Sequence, residues 1–160
     1  MKIKNLLKSV KAFTLIEMLV VVLIIGILAA IAMPQYQKAI IKTDALKLLS
    51  AVNQLQKANE AYYLATGKWA YSMTDLDISI PGKTARPHDN IESITNTNQN
   101  VTCHLYDDGR IWCYGHYGAL YKNPNDRNSY CWSTVKDDYN MCKILGGKEI
   151  PRSSNTYILP

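Results

Sequence analysis

The sequence predicts an α+β fold in which a long N-terminal α-helix, a transmembrane half followed by an amphipathic half, packs on a C-terminal antiparallel β-sheet head. Three observations carry that prediction. Residues 13–33 form a long apolar run in which Glu17 is the only charge. A stripe of helical spacing follows and runs to Thr66, with Gly67 as its stop signal. Beyond it the pattern changes to short apolar segments, polar turns, many tyrosines and four cysteines.

The first twelve residues, Met-Lys-Ile-Lys-Asn-Leu-Leu-Lys-Ser-Val-Lys-Ala, hold four lysines and no acid. Beside an apolar span, that bias keeps the N-terminus in the cytoplasm and sends the rest outward. As a helix, the run at 13–33 is about 31 Å long, against a hydrocarbon core of roughly 30 Å. A carboxylate at the centre of such a span costs about 2.5–3.5 kcal/mol and less near its surface, so Glu17 calls for a partner. Pro34 ends the run and should kink the helix, and Gly26 is a second weak point. An ordinary secretory signal shares the basic start, and Ala30-Ile31-Ala32 resembles its cleavage site. Against that stand the length of the run, the interruption by Glu17 and a helical pattern that continues past the cut. A plain single-pass anchor is a further alternative.

Past Pro34, Ile41, Ala45, Leu48, Val52, Leu55 and Tyr62 recur at spacings of three and four, with Ala58 filling a gap. Lys42, Asp44, Lys47, Gln54, Lys57 and Glu60 occupy the other faces. The stripe reads as core, and the two halves together make one helix of about 50 residues.

In the head, Thr74-Asp75-Leu76 starts a short turn or strand. Residues 81–99, rich in Pro, Gly, Asn, Thr and Ser, read as a long loop that carries a solvated His88. Residues 101–114 read as a hairpin, with Asp107-Asp108-Gly109 as a three-residue turn. That register sets Tyr106 opposite Arg110, Leu105 opposite Ile111 and Cys103 opposite Cys113. It puts His104 and Trp112 on the other face. Further strands are expected at 129–134 and 157–159, and a short helix at 139–145 before Gly146-Gly147.

The cysteines, Cys103, Cys113, Cys131 and Cys142, are even in number and lie on the outward side, so disulfides are expected. Four allow three pairings. The hairpin register favours Cys103–Cys113, and Cys131–Cys142 then closes a loop. The competing reading is a metal site of Cys103, His104, Cys113 and His116, which is opposed by adjacent strand residues facing opposite ways.

No Gly-rich phosphate loop, nucleophile elbow or paired-acid motif is present, so neither enzyme activity nor a cofactor is expected. Asp107-Asp108 is explained by its turn and Asp137-Asp138 by a helix start, with calcium as the alternative for either pair. Asn100-Val101-Thr102 matches a glycosylation acceptor. The leader carries +4 of the formal charge of +5, leaving +1 from Phe13 onward, so the high pI is mostly a targeting signal. Lys136, Lys143, Lys148 and Arg152 form a local basic patch, for which nucleic acid is the partner to consider.

Lys11-Ala12-Phe13-Thr14-Leu15-Ile16-Glu17, with the apolar run and the Met33-Pro34-Gln35-Tyr36 that follow, resembles the N-terminus of bacterial type IV pilins from Lys11 to about Lys38. The resemblance implies cleavage by prepilin peptidase between Ala12 and Phe13, N-methylation of Phe13 and retention of the apolar run. Glu17 would pair with the new amine of its own chain, four residues away on one helix face, or with that of the next subunit. Residues 26–34 would be able to melt in the assembled filament, and Cys131–Cys142 would bound an exposed loop. The implied organisation is a cytoplasmic leader (1–12), a membrane and filament-core half (13–33), an amphipathic half (34–66) and a head (67–160). The implied partners are further copies in a helical filament, the peptidase, an assembly platform and the inner membrane, which the chain crosses once before assembly into a surface pilus. The family usually has glycine before the cut, and this chain has Ala12. A pseudopilin of a type II secretion system is the nearest alternative, and a membrane-anchored binding module that never polymerises is the next.

Overall fold

Helix α1 spans Leu15–Thr66 in the computed structural model, which describes residues 13–78, 82–88, 91–96, 100–135, 139–151, 153 and 155–160. The expected leader, 1–12, lies outside the described residues. The helix passes through Pro34 without a break in its assignment. It ends where Gly67 turns to φ +74 and its N–H donates to the Tyr63 carbonyl at 2.8 Å. Only glycine adopts that left-handed conformation without strain, so it makes a natural stop.

The chain divides into two units, Met1–Tyr36 and Gln37–Pro160. In the described part of the first, the large apolar side chains of the run are exposed. The second unit is built on the amphipathic half of α1. Ile41, Ala45, Leu48, Val52 and Leu55 are buried, with Ala58 and Tyr62 packed at the margin. Asn59 is buried beside them, the one polar member of that face.

The stripe packs on one sheet of eight strands: β1 (Lys83–His88), β2 (Ile91–Asn96), β3 (Val101–Tyr106), β4 (Ile111–Tyr114), β5 (Gly118–Lys122), β6 (Ser129–Ser133), β7 (Lys148–Glu149) and β8 (Thr156–Leu159). Their order is β1-β2-β3-β4-β5-β6-β8-β7, and every neighbouring pair is antiparallel. Alternate residues face inward: Val101, Cys103, Leu105, Ile111, Cys113, Leu120, Cys131, Tyr157 and Leu159 join the helix stripe in one core.

The long loop expected at 81–99 is corrected. Most of it forms β1 and β2, so His88 belongs to a strand. Polar composition misled the sequence reading, because β3 offers a full ladder from Ile91↔Tyr106 to Asn96↔Val101. Ile94 anchors the strand in the core, and buried Glu92 accepts a hydrogen bond from the Met73 backbone N–H. β1 is an edge strand, bulged between Ala85 and His88, where Pro87 lacks only an N–H that an edge strand can spare.

Three smaller differences follow from local chemistry. Of the turn or strand expected from Thr74-Asp75-Leu76 the structure forms the turn, one residue earlier as a 3₁₀ turn at Met73–Asp75 that Leu76 caps, fixed by a capping box between Ser72 and Asp75. The short helix is α2, Met141–Ile144, and it starts late because the Asn140 side chain caps it, accepting from Cys142 N at 2.9 Å and Lys143 N at 3.2 Å. Strands β5 and β7 escaped the sequence reading: the first opens on glycine with only two apolar residues, and the second is a lone Lys-Glu pair.

Candidate functional site

At the start of α1, Thr14 and Glu17 cap each other. The Thr14 N–H and hydroxyl both donate to Glu17 Oε2, at 2.8 and 2.7 Å, and the Glu17 N–H donates to Thr14 Oγ1 at 3.2 Å. This reciprocal arrangement satisfies backbone donors that the first helical turn would leave open. In the unprocessed chain Phe13 N lies in a peptide bond with Ala12, so no amine is present for Glu17. Ala12 lies outside the described residues, and Phe13 is exposed beside the cap. Behind it, one helix is long and apolar enough to cross a membrane by length and composition. Gly26 and Pro34 are both helical, and no atom outside the helix's own backbone lies within 4 Å of where a Gly26 Cβ would stand.

In the head, Cys103 is bonded to Cys113 and Cys131 to Cys142, with Cα separations of 4.0 and 5.6 Å. The first bridge joins facing residues of the β3–β4 hairpin, and the second ties β6 to α2. The metal reading of Cys103, His104, Cys113 and His116 is thereby corrected, because both thiolate ligands it needs are bonded to each other. Among the described residues no cluster of three or more His, Cys, Asp and Glu is placed to hold a metal.

The hairpin turn closes with Gly109 at φ +85 and the Tyr106 N–H donating to the Arg110 carbonyl at 3.0 Å. Asp108 bonds the Arg110 side chain at 2.5 Å, and the guanidinium lies 4.9 Å from the Tyr106 ring centre. Asp107-Asp108 is thus a turn element. Asp137 and Asp138 lie outside the described residues, as do Lys136 and Arg152 of the expected basic patch. Lys143 and Lys148 are exposed on α2 and β7.

The outer face of the sheet is aromatic. His104, Trp112, Tyr121 and Tyr130 face each other across β3 to β6, and Tyr114, Ala119 and Trp132 form the adjoining row. Trp112 meets Tyr121 edge-on with ring centres 6.0 Å apart. The Tyr130 hydroxyl donates to Asp126, which holds that carboxyl below its ordinary pKa and raises the tyrosine's. Burial lowers the His104 pKa, and its Nδ1 has no hydrogen-bond partner among the described residues. The sequence reading placed His104 and Trp112 on this face and missed the rest. The signal was present as aromatics two residues apart, Trp112-x-Tyr114 and Tyr130-x-Trp132.

Residues 7–33 match a family model described as the prokaryotic N-terminal methylation motif. A fimbrial protein of Pseudomonas aeruginosa is 45% identical over 71 residues, covering 44% of this chain and 46% of that protein. A type IV major pilin protein of Neisseria gonorrhoeae is 37% identical over 71 residues, covering 44% and 43%. These alignments span under half the length of those two relatives. A fimbrial protein of Neisseria meningitidis is 27% identical over 151 residues, covering 88% of each chain.

Proposed function

We propose that this chain, with its N-terminal methylation motif and its fimbrial relatives, is a type IV pilin and a structural subunit of a pilus, processed at its N-terminus and polymerised through α1. The observation that carries the reading is Glu17, a lone acid at the start of an apolar run of membrane-spanning length. Prepilin peptidase cuts between Ala12 and Phe13 and leaves an N-terminal amine on Phe13, which is then methylated. The chain waits in the inner membrane with its N-terminus in the cytoplasm. An assembly platform then moves the apolar helices into the core of a surface filament.

Lipid tails are as apolar as the run itself, so transfer out of the bilayer gains little hydrophobic energy. Close packing and the Glu17 carboxylate must supply the preference. In a low-dielectric bundle an acid and an ammonium that meet attract strongly, and each is costly alone. Glu17, freed from Thr14, therefore receives the amine of an incoming subunit and selects one axial register. Gly26 and Pro34 let the segment between them yield as helices are packed. Ala12, one methyl larger than glycine, slows the peptidase without blocking it.

The test is Glu17→Leu in the native host, with electron microscopy of sheared filaments and mass spectrometry of the subunit. The expected result is a processed, membrane-bound chain with filaments lost or greatly reduced. The unaltered subunit should begin at methylated Phe13. Normal filaments from Glu17→Leu, or a free extracellular product trimmed after Ala32, overturn the proposal.

A further inference from the structure

The outer sheet face is a platform of aromatic rings. Trp112, Tyr114 and Trp132 are 41%, 42% and 45% exposed, unusual for side chains that gain so much from burial. Trp112 and Tyr114 stand two residues apart on β4, about 7 Å. Trp132 lies two strand spacings from Tyr114, about 10 Å at the backbone, with Ala119 buried between them. The rings themselves, and not a slot over Ala119, are therefore what this face presents to a ligand. Clefts of about 730 and 470 Å³ open beside Trp112 and Trp132, which line both.

The charges decide what such a platform holds. By strand register the outer face carries Lys83, Arg110 and Lys148 and, among the described residues, no acid. Glu92 and Glu149 pair with Leu105 and Tyr157, which belong to the core side. Lys83 ends the cross-strand row of Tyr114 and Trp132 at one edge of the sheet, and Lys148 ends that of Trp112 and Tyr130 at the other. Both lysines are exposed, and Arg110 lies between them against the Tyr106 ring. The turns at one end of the face hold Asp107, Asp108 and Asp126 against Lys122 and Arg127. Asp108 already binds Arg110, and Asp126 accepts from Tyr130. Among the described residues, the face and these turns together keep an excess of positive charge. Exposed rings on an open sheet, with cations on both sides of them, suit bases that stack and phosphates that need countercharge. A duplex keeps its base faces stacked inside, where these rings cannot reach them.

We propose that the outer sheet face of the head binds single-stranded nucleic acid, its bases stacking on Trp112, Tyr114 and Trp132 and its phosphates meeting Lys83, Arg110 and Lys148. The site lies wholly in the head and does not depend on polymerisation.

The experiment uses the full-length chain in lauryldimethylamine oxide micelles and a fluorescein-labelled oligothymidylate of about 12 nucleotides. Anisotropy gives the affinity, and tryptophan emission reports stacking. Saturable binding with quenched tryptophan emission is expected. Trp132→Ala and Tyr114→Ala should each weaken it roughly fivefold or more, while Trp132→Phe keeps most of it. Lys83→Gln with Lys148→Gln should flatten the plot of log affinity against log salt by about 1.4. Lys47→Gln, on α1, should change neither reading. No saturable binding overturns the proposal. So does binding that persists unchanged in both aromatic-to-alanine variants, which belongs to charge elsewhere, such as the lysines of the leader. Equal affinity for a duplex of the same length or for inorganic polyphosphate overturns it too, as does an effect of Trp132→Ala confined to self-association.

Discussion

Asn59→Ala isolates the polar joint that holds the head together near the end of α1. Asn59 is 1% exposed. Its Oδ1 accepts the Ala70 N–H at 3.0 Å, and its Nδ2 donates to the Gly109 carbonyl at 3.4 Å. Ala70 is itself fully buried, so truncation leaves an amide with no protein acceptor, worth about 1–3 kcal/mol. The longer bond to Gly109 adds roughly 0.5–1 kcal/mol. The expected loss is therefore about 1.5–4 kcal/mol, read from urea unfolding of the full chain in a zwitterionic detergent by near-ultraviolet circular dichroism. Asn59→Asp gives the internal control. It keeps the acceptor for Ala70 but buries a charge, so part of its lost stability should return as the pH falls and the carboxyl is protonated. A loss under 0.5 kcal/mol for Asn59→Ala, or no acid recovery for Asn59→Asp, would refute the joint.

Replacing Cys131 and Cys142 together by serine should cost about 3 kcal/mol, from the loop entropy of a closure across 11 residues, measured as the difference in unfolding free energy without reductant. Gly109→Ala should cost about 1–3 kcal/mol in backbone strain at φ +85. It also drives a methyl to 2.4 Å from the Trp69 ring, so its near-ultraviolet spectrum should change with the melting temperature. Burial depresses the His104 pKa, so its neutral form stabilises the fold above the ordinary histidine range. That stability is lost as the pH falls from about 7 toward 5. His104→Phe should flatten this part of the profile of melting temperature against pH, and an unchanged slope counts against the assignment.

The long helix, its buried stripe and the hairpin of Cys103 and Cys113 were legible because each rests on a strict period. Ile41 to Leu55 repeat at three and four, and Leu105, Ile111 and the two cysteines alternate about one turn. What escaped depends on partners far along the chain. Ile91–Asn96 looks like loop until β3 supplies its ladder. Asn59 looks like a surface residue until Ala70 and Gly109 close on it. The aromatic face was half legible, since pairs two residues apart are visible in the sequence. The meeting of Tyr114, Ala119 and Trp132 requires a strand, β5, that its sparse apolar pattern concealed.

The two margins of the sheet have a consequence for crowding. At one stands a bulged strand containing proline, and at the other two residues of opposite charge. Neither offers a long, flat row of open amides to a neighbour. Heads of this kind can be held side by side at high density without zipping together into amyloid-like ribbons, so their contacts are left to side chains, which can be remade and released.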